Sequence, residues 1–198
     1  MIGDVLQLIA KEVSTFIDSD IKMPTGKKSV VLHKPNSING EFNLPDNAIS
    51  MSLLNIEEEL STKSAMVKKR VENRKVYTQN PAVNLNLQII FISNFANDYL
   101  NELNYITKVI EFFQQKMAFT VENTKELDKF KNIEKLNFML NTIPLEQQSG
   151  LWSLLGGKYM PSVVYRVGLI AIQDEEKLSK VKIVKTVKLN SNISNNLV

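Results

Sequence analysis

The sequence predicts an α+β fold, with helices packed on a mixed and largely antiparallel sheet. First, segments with apolar residues at helical spacing occur between segments in which apolar and polar residues alternate. Second, the order of these segments along the chain is helix, strands, helix, strand, short helix, strand. Third, residues 149–172 contain the only Trp, a Gly-Gly pair, a Pro and the longest nearly uncharged run. We therefore expect this stretch to belong to the core.

The central stretch predicts a short helix, a glycine stop and a buried strand. We place the helix at Leu145 to Leu155 and its end at Gly156-Gly157, because Gly tolerates the left-handed turn that ends helices. The strand follows Pro161 and runs from Ser162 to Ile172, since proline can open a strand but not sit inside a central one. Only Arg166 interrupts its apolar character, so we expect both faces to be covered. The helix should pack on the sheet through Leu151, Trp152, Leu154 and Leu155.

Two further helices and four further strands are expected around this stretch. Residues 2–17 have the spacing of an amphipathic helix, and a second such helix should follow Asn97 or Asp98 as its N-cap and end near Met117. We expect the second helix to bury Tyr99, Leu100, Leu103, Ile106, Val109 or Ile110, Phe113 and Met117. Apolar runs and alternating patterns predict strands at 29–33, 47–56 and 82–93, and a further strand within 133–143.

Composition limits the classes of function. The chain has 198 residues and a net charge of +3, which fits one domain with appendages and is too weak to indicate nucleic-acid binding by itself. It has no Cys, which excludes disulfides, thiolate metal sites and a Cys nucleophile. The N-terminus lacks the pattern of a signal peptide, and no run approaches the roughly 18 apolar residues that span a membrane. We therefore expect a soluble protein that is made in the cytoplasm.

Candidate catalytic residues are few. His33 is the only histidine, and no catalytic motif surrounds it, so a structural or exposed role is the simpler interpretation. Glu57, Glu58 and Glu59 lack the facing geometry of paired acid–base carboxylates. They predict a solvated acidic turn, with an intersubunit salt bridge as the functional alternative. The sequence at 156–158, Gly-Gly-Lys, lacks the other features of a phosphate-binding loop. We expect no catalytic residue, no metal site and no cofactor.

One polar and basic segment is a candidate for contacts with other molecules. Residues 61–79 should form a mobile loop or hairpin of a domain that spans 1–174. The charge cluster within it, at 68–75, is a solvated surface in the simplest interpretation. Docking on an acidic protein neighbour and contacts with nucleic-acid phosphates are the alternatives. The cluster consists of Lys68, Lys69, Arg70, Arg74 and Lys75.

The C-terminal arm, 175–198, is a second candidate. It contains a strand pattern at 180–189, followed by an end that we expect to be disordered. Such a strand can complete the sheet of another subunit by β-augmentation, or it can form the last edge strand of its own sheet, protected by lysines. The sequence leaves both interpretations open. The apolar face of this strand consists of Val181, Ile183, Val187 and Leu189.

Four pieces of the chain occur in a specific order. They are the start MIGDVLQLIAKEV, the segment NAISMSLLNIEEE, the strand NPAVNLNLQIIFISNF with the helix after it, and the Trp-bearing helix that leads into YMPSVVYRVGLIAI. This ordered set, which covers roughly residues 1–174, resembles the N-terminal domain of cap or tail-terminator proteins. These proteins belong to phage-tail-like contractile injection systems of the antifeeding-prophage and virulence-cassette type.

The resemblance implies a structural protein rather than an enzyme. Terminators of this kind form a ring, typically a hexamer, at the end of the tube and sheath distal to the baseplate. They stop polymerisation there and join the tube to the sheath. The resemblance therefore implies a homo-oligomer with sheath and inner-tube proteins as partners, in a particle that can be released from the cell. A nucleic-acid-binding module that uses residues 68–75 is the alternative.

Overall fold

The computed structural model describes most of the chain and divides it into two compact units. The described residues are 1–21, 28–35, 41–60, 68–72, 75–79, 83–95, 98–130, 133–157, 159–172 and 179–181. Only the backbone is described for 68–72, 75–79, 169–172 and 179–181. The larger unit contains residues 1–62 and 83–172, and the smaller unit contains residues 63–82 and 173–198. The smaller unit thus combines the basic segment with the C-terminal arm.

Three α-helices, one 3₁₀ helix and nine strands make up the described part of the chain. In chain order they are α1 (Ile2–Asp20), β1 (Val30–Leu32), β2 (Ala48–Glu58), β3 (Lys68–Glu72), β4 (Lys75–Gln79), β5 (Val83–Asn94), α2 (Tyr99–Gln115), β6 (Ala118–Thr120), a 3₁₀ helix (Lys125–Lys129), β7 (Lys135–Leu140), α3 (Leu145–Leu155), β8 (Ser162–Ile172) and β9 (Ser179–Val181). Within the described residues, no helix combines the length and the apolar character that crossing a membrane requires.

The larger unit is built on a six-stranded sheet in the order β1-β2-β5-β8-β7-β6. The short strand β1 runs parallel to β2, and every other pair in this sheet is antiparallel. The predicted α+β class, with a mixed and largely antiparallel sheet, is therefore confirmed. The strands β5 and β8 lie at the centre, and β2 and β7 flank them.

The main core lies between one face of this sheet and the helices α1 and α2. Helix α1 contributes a continuous buried stripe that includes Val5, Ile9 and Val13, each 0% exposed. Phe113 of α2 lies at the centre of an aromatic cluster, with its ring 4.3 Å from that of Tyr165. The other rings in contact with Phe113 are Phe91, Phe112 and Phe138. Burial raises the pKa of Tyr165 to about 12, because the phenolate would be poorly solvated there.

A second, smaller core lies on the opposite face, beneath α3. Its buried members are Leu44, Ile90, Ile92, Trp152, Leu155 and Val164. Alternate residues of β5 and β8 therefore bury their side chains in different cores, as the nearly continuous apolar sequence of β8 predicts. Phe42 packs against this cluster, and a Cβ at Gly157 would lie only 2.6 Å from its ring. A residue larger than glycine at 157 would displace that ring.

For the central stretch, the predicted bounds of the helix and the strand are confirmed, and the predicted burial of one side chain is wrong. Helix α3 and strand β8 begin and end where the sequence places them, and Gly156 ends α3 with φ of 73°. Leu154, however, is 81% exposed, because it lies on the side of α3 that faces away from the sheet. The sequence does not predict β6, which has three residues, or the 3₁₀ helix, which has five. Elements this short show too little periodicity of apolar residues.

The expected buried face of α2 is partly wrong. Residues Tyr105, Ile106, Val109, Phe112 and Phe113 are buried, whereas Tyr99, Leu100, Leu103, Ile110 and Met117 are exposed. The helix has apolar residues on two sides, and apolar spacing alone does not show which side meets the sheet. The predicted N-cap is confirmed at Asp98, whose carboxylate accepts a hydrogen bond from the backbone N–H of Asn101 at 3.0 Å.

Ion pairs fix α2 against α1. Lys108 of α2 pairs with Asp20 at the end of α1 and with Glu111 one turn further along α2. The hydrogen bonds that Lys108 donates to these two carboxylates stabilise its charged form and raise its pKa to about 12. Lys116 reaches Glu12 of α1 at 2.8 Å. These contacts join the two helices at their partly exposed edges, while the buried apolar residues of α2 orient it on the sheet.

The smaller unit contains a three-stranded antiparallel sheet in the order β3-β4-β9. Strand β3 pairs with β4 along its whole length, from Lys68 opposite Gln79 to Glu72 opposite Lys75. Strand β9 pairs with the other edge of β4, with Val181 opposite Val76. The C-terminal arm therefore contributes a strand to the same sheet as the basic segment.

Removal of the Phe113 ring should destabilise the larger unit strongly. Phe113→Ala leaves a cavity among four aromatic rings, and we expect the free energy of unfolding to fall by about 3–5 kcal/mol. Urea denaturation followed by circular dichroism measures this change. Leu100→Ala is the matched control on the same helix, because Leu100 is 74% exposed. The control should cost less than about 0.5 kcal/mol, and equal losses would contradict the described orientation of α2.

Candidate interaction surfaces

The structure brings several of the predicted interface residues into the small sheet. Lys68, Lys69 and Arg70 lie in the edge strand β3, Lys75 is the first residue of β4, and Val181 is the last residue of β9. The remaining candidates, Arg74, Ile183, Val187 and Leu189, lie outside the described residues. Sequence reasoning treated the basic segment and the C-terminal arm as separate. Their pairing depends on contacts between residues about a hundred positions apart in the sequence.

Strand β9 forms its described pairs with its own chain, through β4. These pairs involve Lys180 and Val181, the first two residues of the predicted strand, and Ser179, the residue before it. The rest of the pattern at 182–189 lies outside the described residues. Pairing of that part with a strand of another subunit therefore stays a prediction.

An exposed apolar stripe on α2 is a second surface, formed by residues that the sequence analysis expected on the buried side of the helix. We define the α2 stripe as Leu100, Leu103 and Ile110, which are 74%, 39% and 39% exposed. Residues at this spacing lie on one side of a helix, on the edge that points away from the buried Val109. Met117, just beyond α2, is 65% exposed. The sequence does contain a signal for this stripe, because α2 has more apolar residues than one face of a helix can bury.

A polar network connects Glu59, just after β2, with β5 and β8. We call it the Glu59 network: a carboxylate oxygen of Glu59 accepts hydrogen bonds from Asn86 at 2.7 Å and from Arg166 at 2.9 Å. Asn86 is only 3% exposed. Next to the network, Glu57 accepts hydrogen bonds from Gln88 at 2.7 Å and Asn55 at 3.1 Å. Arg166, the one charged residue of β8, is thus paired within the chain.

The expected acidic turn at Glu57, Glu58 and Glu59 is wrong in its local structure. Strand β2 continues to Glu58, and Glu59 donates its backbone N–H to Asn84 of β5 at 2.8 Å. The strand extends further than its apolar residues indicate because its pairing with β5 resumes after a register shift at Leu53 and Asn55 and continues to Glu58. The carboxylates of Glu57 and Glu59 accept hydrogen bonds from side chains of β5 and β8 and so link the three strands.

The described residues place no catalytic partner beside His33. Its backbone N–H donates to Met51, and its carbonyl accepts a hydrogen bond from the hydroxyl of Ser52, so this serine binds the backbone and not the imidazole. A cleft of about 230 Å³ lies beside α3, lined in part by Leu140, Trp152 and Tyr159. The described lining of this cleft contains no Asp, Glu, Lys, Arg or His. No cluster of His, Asp and Glu in the described residues could hold a metal ion.

The fold is that of the tube and sheath terminators. The chain is similar to the sheath/tube terminator of PVC, an extracellular contractile injection system, in its extended state, with a TM-score of 0.59 and 15% identity. It is also similar to the tube-terminating cap of the anti-feeding prophage, with a TM-score of 0.53 and 16% identity. The matches cover 100% and 94% of this chain but only 65% and 60% of those chains. At these identities the likeness concerns the fold.

The chain belongs to the Pvc16 N-terminal domain family, which it matches over residues 4–186. This match confirms the resemblance found in the sequence. It also extends past residue 174, where that resemblance ends, and therefore includes β9. No curated protein sequence matches the chain.

A side chain at position 168 should disrupt the Glu59 network. A Cβ on Gly168 would lie 2.5 Å from the side-chain oxygen of Asn86, which is held by its bond to Glu59. We expect Gly168→Ala to lower the free energy of unfolding by about 1–3 kcal/mol, measured by urea denaturation. The same substitution in an Asn86→Ala background should cost less, because the obstructing oxygen is gone. Equal costs in both backgrounds would show that Asn86 is not the cause.

Proposed function

We propose that this protein is the structural cap, or tail terminator, of a contractile injection system. It would form a ring that ends the inner tube and the sheath at the end distal to the baseplate and links the two. The observation that carries this proposal is the similarity of the fold to two terminators, over 100% and 94% of this chain. Membership of the Pvc16 N-terminal domain family supports the same function.

The cap acts through interfaces rather than through chemistry. One similar structure is a sheath/tube terminator and the other a tube-terminating cap, which supports a structural role for this chain. Neither the family nor these structures support the alternative of a nucleic-acid-binding module that uses residues 68–75. The proposed partners are further copies of this chain, in a ring that we expect to be a hexamer, together with the sheath and inner-tube proteins of the same particle.

The α2 stripe supports a contact between copies. A closed ring needs a heterologous interface, in which one patch of each subunit meets a different patch of the next. Both α1 and α2 are candidates for such a contact. Most apolar residues of α1 are buried in the core, whereas Leu100, Leu103 and Ile110 of α2 are exposed. Exposed leucines in one row lose contact with water when they are covered by a neighbour.

The arm beyond β9 is the proposed link to the sheath. The apolar residues Ile183, Val187 and Leu189 alternate with lysines in a pattern typical of a strand. Pairing of this strand with an open edge of a sheath subunit would provide main-chain hydrogen bonds, and pockets for alternate side chains would provide specificity. The basic segment would then contact the next copy or the tube.

Loss of the protein should abolish length control of the particle. We expect particles assembled without it to have tubes and sheaths of variable length, and particles assembled with it to have one uniform length. Negative-stain electron microscopy of purified particles measures both distributions. A uniform length in the absence of the protein would contradict the proposed function.

Charges on the α2 stripe should prevent ring formation without unfolding the chain. Leu100→Asp with Leu103→Asp places two carboxylates where an apolar contact is proposed, and we expect at least a tenfold loss of ring affinity, from about 1.4 kcal/mol or more. Native mass spectrometry measures the oligomer. Leu145→Asp is the matched control, because Leu145 is 81% exposed in the first turn of α3, where a carboxylate is tolerated. Rings that survive the double substitution would exclude α2 from the interface.

Removal of the arm should separate capping from sheath attachment. Deletion of residues 182–198 keeps β9 and its pairing with β4, so we expect a folded ring that no longer retains the sheath. Deletion of 190–198 alone keeps the proposed strand and should leave retention intact. Co-purification of sheath with the cap measures the difference. Normal sheathed particles with the longer deletion would refute this role of the arm.

A further inference from the structure

The two compact units carry opposite net charges. Residues 63–82 and 173–198 contain eleven Lys and Arg against four Asp and Glu, which gives a net charge of +7. The rest of the chain contains thirteen Lys and Arg against seventeen Asp and Glu, which gives −4. The modest overall charge of +3 therefore conceals a basic unit and an acidic unit. Surfaces of opposite sign attract each other over about 10 Å at 0.1 M salt.

The strand register of the small sheet orders its basic residues. Arg70 of β3 lies opposite Tyr77 of β4, and Tyr77 lies opposite Lys180 of β9. Residues directly opposite in neighbouring strands share one face of a sheet. The three residues therefore form a row across the sheet, in which an aromatic residue lies between two cations.

The face that carries this row is strongly cationic. Residues two positions apart in a strand share a face, which adds the neighbours of Arg70 and Tyr77 to it. We define the cationic face as Lys68, Arg70, Glu72, Lys75, Tyr77, Gln79 and Lys180. Its four cations and one carboxylate give a net charge of +3 within a sheet of three short strands.

The opposite face is of a different character. Val71, Val76 and Val181 lie opposite one another and form an apolar row across the three strands. Lys69 shares this face, one position away from Arg70 in the same strand. The register thus separates two adjacent basic residues, and their roles can be tested against each other.

We propose that the cationic face docks on the acidic larger unit of a neighbouring copy of this chain. This inference rests on the proposed ring, and it assigns one of the two different patches that a closed ring requires. The chain itself provides both charges, so a second copy is a complementary partner. Arg and Tyr are also enriched in protein interfaces, where they combine charge or hydrogen bonding with buried area.

The test compares charge reversals on the two faces in the purified full-length protein. The measurement is the protein concentration at half-assembly, from light scattering across a NaCl series. We expect Arg70→Glu to raise this concentration about tenfold, and Lys69→Glu to change it by less than about twofold. Lys180→Glu, on a different strand of the same face, should match Arg70→Glu. The wild-type assembly should weaken as NaCl rises, because salt screens the contact.

Two controls separate docking from folding. Arg70→Lys keeps the charge and should assemble like the wild type, whereas Arg70→Gln should have an intermediate effect. Circular dichroism should be the same for every variant, since β3 is an edge strand whose backbone pairing does not require a given charge. A loss of assembly in Arg70→Lys equal to that in Arg70→Glu would indicate a structural role and overturn the proposal.

Several outcomes would overturn the docking inference. These are equal effects of Lys69→Glu and Arg70→Glu, assembly that does not depend on salt, and a wild-type chain that stays monomeric throughout. Binding of a fluorescent duplex DNA is measured as well. If Arg70→Glu abolishes a salt-sensitive binding of this DNA and leaves assembly unchanged, the cationic face binds nucleic acid instead. Particle length is scored separately. Normal termination by Arg70→Glu would refute the docking contact and leave the proposed cap function standing.

Discussion

Burial of both faces of β5 is the constraint on which the larger unit depends. This strand pairs with β2 on one edge and β8 on the other, and it lies between both cores. Ile89 and Phe91 are buried beneath α1 and α2, while Ile90 and Ile92 are buried beneath α3. A shift of register by one residue would exchange these sets and move the polar residues of β5 into the main core. This alternation matches the placement of α1 and α2 on one face of the sheet and of α3 on the other.

The small sheet repeats the neighbour order of the central strands. In the chain, β2 leads to β3, β4 leads to β5, and β8 leads to β9. The strands β2, β5 and β8 are neighbours in that order in the large sheet. Their chain neighbours β3, β4 and β9 follow the same order in the small sheet. Because the connections are local in the chain, the pairing of the central strands favours the pairing of the small ones. A basic segment and a distant arm thereby become one surface.

Three surfaces of the protein differ in chemistry. The α2 stripe is apolar, the small sheet has a cationic face, and the larger unit has a net charge of −4. Each of these differs from the others in chemistry. The proposed ring would need unlike patches of this kind, because head-to-tail contacts join different surfaces of successive copies. In the Glu59 network, in contrast, the carboxylate pairs with Asn86 and Arg166 of the same chain.

The sequence by itself determined the fold class, the bounds of α3 and β8, and the family, because apolar periodicity, glycine stops and the order of motifs are local properties. It did not determine which apolar side of α2 faces the sheet, since Leu100 and Phe113 are equally apolar and only packing distinguishes them. Nor did it show that Glu59 pairs with Arg166, or that Lys180 lies opposite Tyr77. These contacts join residues about a hundred positions apart, and only the tertiary structure brings them together.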